Sequence, residues 1–238
     1  MPHAARRGAS AQARSYNDAM DTADEFTAKW HALWPEWRIG AAFLPATQRE
    51  LAFAWFALLQ ELTDAAWGGA DATPGLAKLA WWNEELQGWM KGARRHPLGA
   101  VLQPHPVPWA ALAAGLLPLQ GSRDRPSSAT PSQAGLEGIA LAVAECEQAL
   151  FGGGANPALA AGAIAFDLLA ARHLAQGTAD LAKTPFGTAP ASGPGVRPRR
   201  LQSAFVRQRL GRAASGLQPA ATPWRNLWLA WRAARSAR

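Results

Sequence analysis

From Leu51 to Leu59 the chain reads Leu-Ala-Phe-Ala-Trp-Phe-Ala-Leu-Leu, without a polar position. A helix that is apolar on every side has no solvent face and belongs inside a fold. A run this short also fits a buried strand. The flanks predict a helix instead. Pro45 precedes it, Thr47 and Glu50 have the spacing of a capping box, and helix-compatible residues continue to Trp67. At its far end the run gives way to Gln60, Glu61, Thr63 and Asp64. Those groups mark either a site or the point where the helix emerges into water.

Other segments carry a one-sided helical period. Met20, Phe26, Trp30 and Leu33 line one face of a helix expected over about 16–33, with acids towards its N-terminus complementing the macrodipole. Trp34-Pro35 ends it, and 36–42 is expected as a loop. Gly-Gly-Ala-Asp-Ala-Thr-Pro-Gly then breaks the chain before a helix over about 74–91, where Leu79, Trp82, Leu86 and Trp89 form a stripe. Pro97 opens a short helix and Pro108 another. A Ser/Pro/Gly/Arg-rich insert near 120–133 is expected to be flexible, and helix resumes to Phe151. Asn156-Pro157 is a cap with a first-turn proline, leading a largely apolar helix to about Gln176, in which Asp167, Arg172 and His173 are the polar exceptions. A basic helix covers 199–212. The last helix sets Trp224, Leu227, Trp228 and Trp231 against Arg225, Arg232 and Arg235; it either lies on a membrane or packs on the protein's own core.

Composition agrees with helices. Ala is abundant, Val and Ile are scarce, and no stretch alternates polar and apolar residues over strand length. The expected fold is all-α, with one helical domain over 15–238 behind a basic tail at 1–14. A single cysteine, Cys146, excludes an intramolecular disulfide framework and multi-Cys metal sites; its helical context makes it a small core residue. No run of 18 apolar residues suggests a membrane span, and the N-terminus lacks the apolar core of a secretory signal.

Charge is uneven. Residues 181–238 contain Lys183, ten Arg and no acid, whereas the first 180 residues are net acidic. A basic quarter of this kind points to a polyanion, whether nucleic acid, phosphate or an anionic membrane surface, or is simply solubilising. Nucleic acid is the least favoured partner because no helix-turn-helix or zinc pattern accompanies the arginines. A Gly-x-Ser-x-Gly elbow and a His-Glu-x-x-His motif are both absent, and Gly152–Gly154 lacks the Lys-Ser/Thr of a phosphate loop.

Several motifs occur in an order worth comparing. An N-terminal amphipathic helix is followed by Leu44-Pro45 and Arg49. An aromatic helix with an acidic end comes next, and then Gly-Leu-Ala-Lys-Leu-Ala-Trp-Trp-Asn-Glu-Glu-Leu and His96-Pro97. This arrangement is similar to the squalene/phytoene synthase family over about 16–105, and the remainder matches by helix pattern only. The resemblance implies an isoprenoid-synthase bundle around a central cavity. It also implies head-to-head condensation of prenyl diphosphates, with Mg²⁺ held by two aspartate-rich motifs on facing helices. Mg²⁺ suits hard carboxylate oxygens, and acids one helical turn apart present theirs to one side.

Here both motifs are degraded. Counted from Arg49, the first motif's Arg falls on Gln60 and its Asp positions fall on Thr63, Asp64 and Trp67. Glu61 lies one turn before Asp64 and is a substitute acid. In the nearest register of the second motif, Gln falls on His173, Asn on Gln176 and the two Asp positions on Asp180 and Thr184. The resemblance therefore implies Asp64, Glu61 and Asp180 as catalytic carboxylates, Asp64 and Asp180 as Mg²⁺ ligands, and Arg49, Arg172, His173 and Gln176 as substrate contacts.

Two functions follow from the resemblance. One is a family member with weakened or lost catalysis that binds a prenyl or other isoprenoid lipid, or a protein partner. The other is an active Mg²⁺-dependent prenyltransferase. Peripheral membrane contact through the basic C-terminal helices is expected as an accompaniment, with a cytoplasmic or inner-face location.

Overall fold

The computed structural model describes residues 23–123, 135–153, 156–179, 194–218 and 221–235. The expected tail at 1–14, most of the insert near 120–133, and both Asp180 and Thr184 lie outside these residues. Among those described the fold is all-α, with no strand.

Residues 23–33 form α1. The expected loop at 36–42 is instead helical: α2 spans Trp37–Gly40 and a 3₁₀ turn spans Ala41–Phe43. The apolar run lies in α3, Ala46–Trp67. Its capping box does not form. Pro45, in extended conformation, precedes the first turn without a side-chain cap, and Thr47 is already helical. Helix α4 spans Thr73–Trp89, with Pro74 in its first turn. Asp71 caps this start by accepting from the Thr73 N–H at 2.9 Å. Gly99–Leu102 forms α5, Trp109–Gly121 forms α6 and Glu137–Phe151 forms α7. The apolar helix α8 spans Pro157–Ala175, and Asn156 caps it by accepting from the Ala158 N–H at 2.9 Å. Arg197–Ala213 is α9 and Pro223–Arg235 is α10.

Helix α3 is buried along most of its length and touches α4, α5, α6 and α8. By length and composition α8 is apolar enough to cross a membrane, but just over half of it is buried in the protein, against α7, α9 and α3. Glycines set two of the close approaches. A Cβ on Gly75 would lie 2.2 Å from the Ala65 carbonyl oxygen, so α4 meets α3 backbone to backbone. A Cβ on Gly115 would lie 2.9 Å from Ile139 Cδ1, where α6 meets α7.

Tryptophan supplies much of the core, and its N–H groups tie the helices together. Trp30, Trp37 and Phe56 form one aromatic cluster; Trp82, Trp89 and Trp109 belong to another. A buried indole keeps one donor that usually finds a partner; those of Trp82 and Trp109 have none among the described residues. Trp37 donates to Gln202 of α9 at 2.7 Å, Trp55 to Glu147 of α7 at 2.9 Å and Trp89 to Glu85 at 2.8 Å. Glu85 also accepts from the Arg95 and His96 backbone N–H groups, at 2.6 and 2.8 Å, and so pins the turn between α4 and α5. His96 serves there as a cap, its Nδ1 accepting from the Leu98 N–H at 3.2 Å.

Candidate functional site

The polar end of α3 divides its side chains between two directions. Glu61 and Asp64 turn towards α1 and α4, with Gln60 between the two sides. Glu61 is only 6% exposed, and its carboxylate is held by Lys78 at 2.5 Å and Lys29 at 3.5 Å. Burial alone would raise the Glu61 pKa. The Lys78 hydrogen bond and charge, with Lys29 adding, outweigh burial and hold it below the ordinary value. Asp64 is exposed and accepts from Gln60 Nε2 at 2.7 Å, while Gln60 Oε1 accepts from the Trp34 indole at 3.0 Å. Its pKa is raised, mainly because protein crowds one side of the carboxyl; the Glu61 charge adds and the Gln60 bond opposes.

Thr63 turns the other way, towards α8. It lines a cavity of about 50 Å³ together with Gln60, Phe56, Asp167, Arg199 and Gln202. Thr63 donates to its own helix, to the Gln60 carbonyl at 3.1 Å. Trp67, one turn on, is buried and donates to Ser122 Oγ at 3.0 Å. The α3 position that faces α8 thus carries a hydroxyl spent on its own backbone, not a carboxylate.

The second set of sequence candidates reaches the end of α3 indirectly, through the turn after α6. Arg172 Nη1 donates to the Ser122 carbonyl at 3.0 Å, and Gln176 Nε2 to the Arg123 carbonyl at 3.0 Å. Arg123 in turn covers the end of α3, donating to the carbonyls of Ala66, Gly68 and Gly69 at 2.9, 3.0 and 2.8 Å. Arg172 is buried, and burial lowers its pKa; its Nε and Nη2 have no hydrogen-bond partner among the described residues. His173 bonds Thr178 Oγ1 through Nδ1 at 2.8 Å. Arg49 sits at the opposite end of α3, donating to the Leu44 carbonyl at 3.3 Å. Fifteen helical residues separate it from Asp64, about 22 Å along the axis. Arg49 and Asp64 therefore do not share a site.

The densest charged cluster lies deeper. Arg199 of α9 binds Glu147 of α7 through both carboxylate oxygens and stacks over the Phe56 ring at 5.3 Å. Its Nη1 is 3.7 Å from Asp167 of α8, which is 4% exposed and accepts a short hydrogen bond from Ser203. Arg207 Nε approaches the other Asp167 oxygen at 4.0 Å. Burial raises the Asp167 pKa, although Arg199, Ser203 and Arg207 oppose the shift. Sequence patterning showed Asp167 only as a polar exception in an apolar helix. Its partners lie on α9, and no local spacing announces them.

The Mg²⁺ that the resemblance implies would need several carboxylates converging on one point. Among the described residues no group of three or more His, Cys, Asp or Glu is close enough to hold a metal ion. Glu61 is neutralised by two lysines, and Asp167 and Glu147 by arginines. These donors do not fit a Mg²⁺ cage, which needs carboxylates left available to the cation.

Comparison with protein-family models, with curated proteins and with solved structures finds no match.

Proposed function

We propose that this is a squalene/phytoene synthase-like helical protein that has lost catalysis and acts by binding. The ordered motifs from Leu44-Pro45 to His96-Pro97 motivate the family. One observation carries the loss of catalysis. Where the first aspartate-rich motif falls, Thr63 faces α8, Trp67 is buried, and Glu61 is clamped by Lys78. A departing diphosphate needs a dication to take up its charge. The end of α3 offers one exposed carboxylate, Asp64.

The cavity beside Thr63 is also too small to house a prenyl diphosphate for turnover. At about 50 Å³ it has room for one or two waters, against the several hundred Å³ usual for a ligand pocket. The ligand in this reading is an isoprenoid or other lipid, met at the protein surface. The test is a mass-spectrometric assay of the purified chain with farnesyl and geranylgeranyl diphosphate, with and without Mg²⁺. The expected result is no condensed product under either condition. Mg²⁺-dependent product formation overturns the proposal.

A further inference from the structure

The basic C-terminal quarter is not a basic surface throughout. Arg199 and Arg207 turn inward to Glu147 and Asp167, and Arg209 pairs with Glu36 of the α1–α2 connection. Arg200 donates to the carbonyls of Gly195 and Ala233 at 2.6 and 3.0 Å. Four of the six arginines of α9 therefore hold the fold together. The charge that faces solvent is concentrated on α10, which has Arg225, Arg232 and Arg235 and no acid.

Helix α10 also presents an apolar stripe to solvent. Trp224, Leu227, Trp228 and Trp231 follow the i, i+3, i+4, i+7 spacing of one helical face and are 80, 39, 52 and 47% exposed. The opposite face, which packs on α9 and α2, uses the small residues Ala230 and Ala233 with Asn226. Two buried hydrogen bonds fix that orientation: Gln208 Nε2 to Asn226 Oδ1 at 2.8 Å, and Arg200 Nε to the Ala233 carbonyl. Rolling the helix to bury its tryptophans would break both and strand their buried partners. The outward stripe is built into the packing.

We infer that α10 is a docking face for an anionic lipid surface, an interaction that goes beyond the proposed function and does not depend on it. The chemistry on the helix selects this occupant. Indole rings partition to the membrane–water interface, with the apolar body inserted and the N–H in the polar layer. Arg232 and Arg235 lie over the Trp228 and Trp231 rings at 5.3 and 4.7 Å, which brings cations to the depth of lipid phosphates. A second copy of the same face is disfavoured by like charge. The chain's own residues 1–15 have three Arg and no acid, so charge opposes their covering it too.

The test is co-sedimentation of the full chain with vesicles of equimolar phosphatidylglycerol and phosphatidylcholine, against vesicles of phosphatidylcholine alone. Binding to the anionic vesicles only is expected. Apparent affinity should fall at least about tenfold in Trp228→Ser/Trp231→Ser, in Arg225→Glu/Arg235→Glu, and in about 0.5 M salt, where exposed charges are screened. The substituted side chains are exposed, so far-UV circular dichroism should show unchanged helix. Three results overturn the inference: no binding, equal binding to neutral vesicles, or binding unchanged in both folded variants. A self-association lost in the Trp variant, seen by sedimentation velocity without vesicle binding, assigns the face to a second copy instead.

Discussion

Arg199 on α9 meets both carboxylate oxygens of Glu147 on α7, its Nε 2.9 Å from one and 3.1 Å from the other, where neither side chain is solvated. Trp55 donates to the same carboxylate, so three helices depend on one charge pair. Removing one partner of a buried pair strands the other and typically costs about 3–5 kcal/mol. Arg199→Ala should lose stability of that order in urea unfolding, since Glu147 would lose its guanidinium and Asp167 the nearer of its two. Adding Glu147→Gln to Arg199→Met keeps an acceptor for Trp55 and removes the stranded charge. The double variant should be more stable than Arg199→Met alone; a double variant that is less stable would refute the account.

The Glu61–Lys78 contact is a weaker case of the same physics, because Lys78 is partly exposed. Lys78→Met should cost about 1–2 kcal/mol near neutral pH, below the figure for a fully buried pair. Its pH dependence has a definite sign. The Glu61 pKa is lowered in the folded protein, so the pair's contribution is full above the unfolded value of 4.5 and is lost as pH falls through the lower folded value. The stability difference between wild type and Lys78→Met should shrink below about pH 4.5. A difference that stays constant from neutral to acid pH would show that Lys78 acts by packing alone.

What the sequence made legible was local. The apolar run, the Asn156-Pro157 cap and the Trp stripe of α4 each express a period or a capping rule within one segment, and α3, α8 and α4 formed accordingly. The connection at 36–42 is too short to show a period, so its sequence predicts a loop; it is helical, with Trp37 anchored from a distance by Gln202. Thr47 does not cap the helix because, after the extended Pro45, the helix begins two residues earlier, at Ala46. The candidate site was less legible still. Asp64 and Glu61 were visible, but the lysines that neutralise Glu61 come from α1 and α4. Asp167 acquires Ser203 and Arg199 only when α8 meets α9.

Gly75 offers a test of backbone contact between α3 and α4. Alanine is normally favoured over glycine within a helix by about 1 kcal/mol. At this position a Cβ would lie 2.2 Å from the Ala65 carbonyl oxygen, and backbone cannot step aside as a flexible side chain can. Gly75→Ala should therefore destabilise by about 1–3 kcal/mol, the usual cost of overpacking. A thermal melt that rises instead would mean that the two helices separate without cost.

Arg123 covers the last carbonyls of α3 through a planar fork that reaches Ala66, Gly68 and Gly69 together. Lysine places its donors on one compact ammonium and cannot reproduce that spread, planar geometry. Arg123→Lys should thus behave much like Arg123→Ala, each losing about 1–2 kcal/mol, although the charge is kept. Hydrogen exchange at the α3–α4 junction should accelerate in both variants. Full rescue by lysine would assign the effect to charge at the helix end.

His96 should make the protein acid-sensitive above the range where carboxylates titrate. Its ring sits among Phe26, Trp81 and Trp82, and burial lowers its pKa from 6.5 to about 4, against the opposing pull of Glu61 and Glu85. Between those values the unfolded chain binds a proton that the folded ring refuses, so stability should decline as pH falls from about 6.5 towards 4. The ring is only half-buried, and solvent screening reduces the expected loss to about 1–2 kcal/mol. His96→Asn keeps a side-chain acceptor for the Leu98 N–H and cannot titrate. Its unfolding free energy, measured in urea across that range, should be flatter with pH than that of the wild type. Parallel curves would mean that His96 takes up its proton without resistance and that the aromatic surround does not exclude the charge.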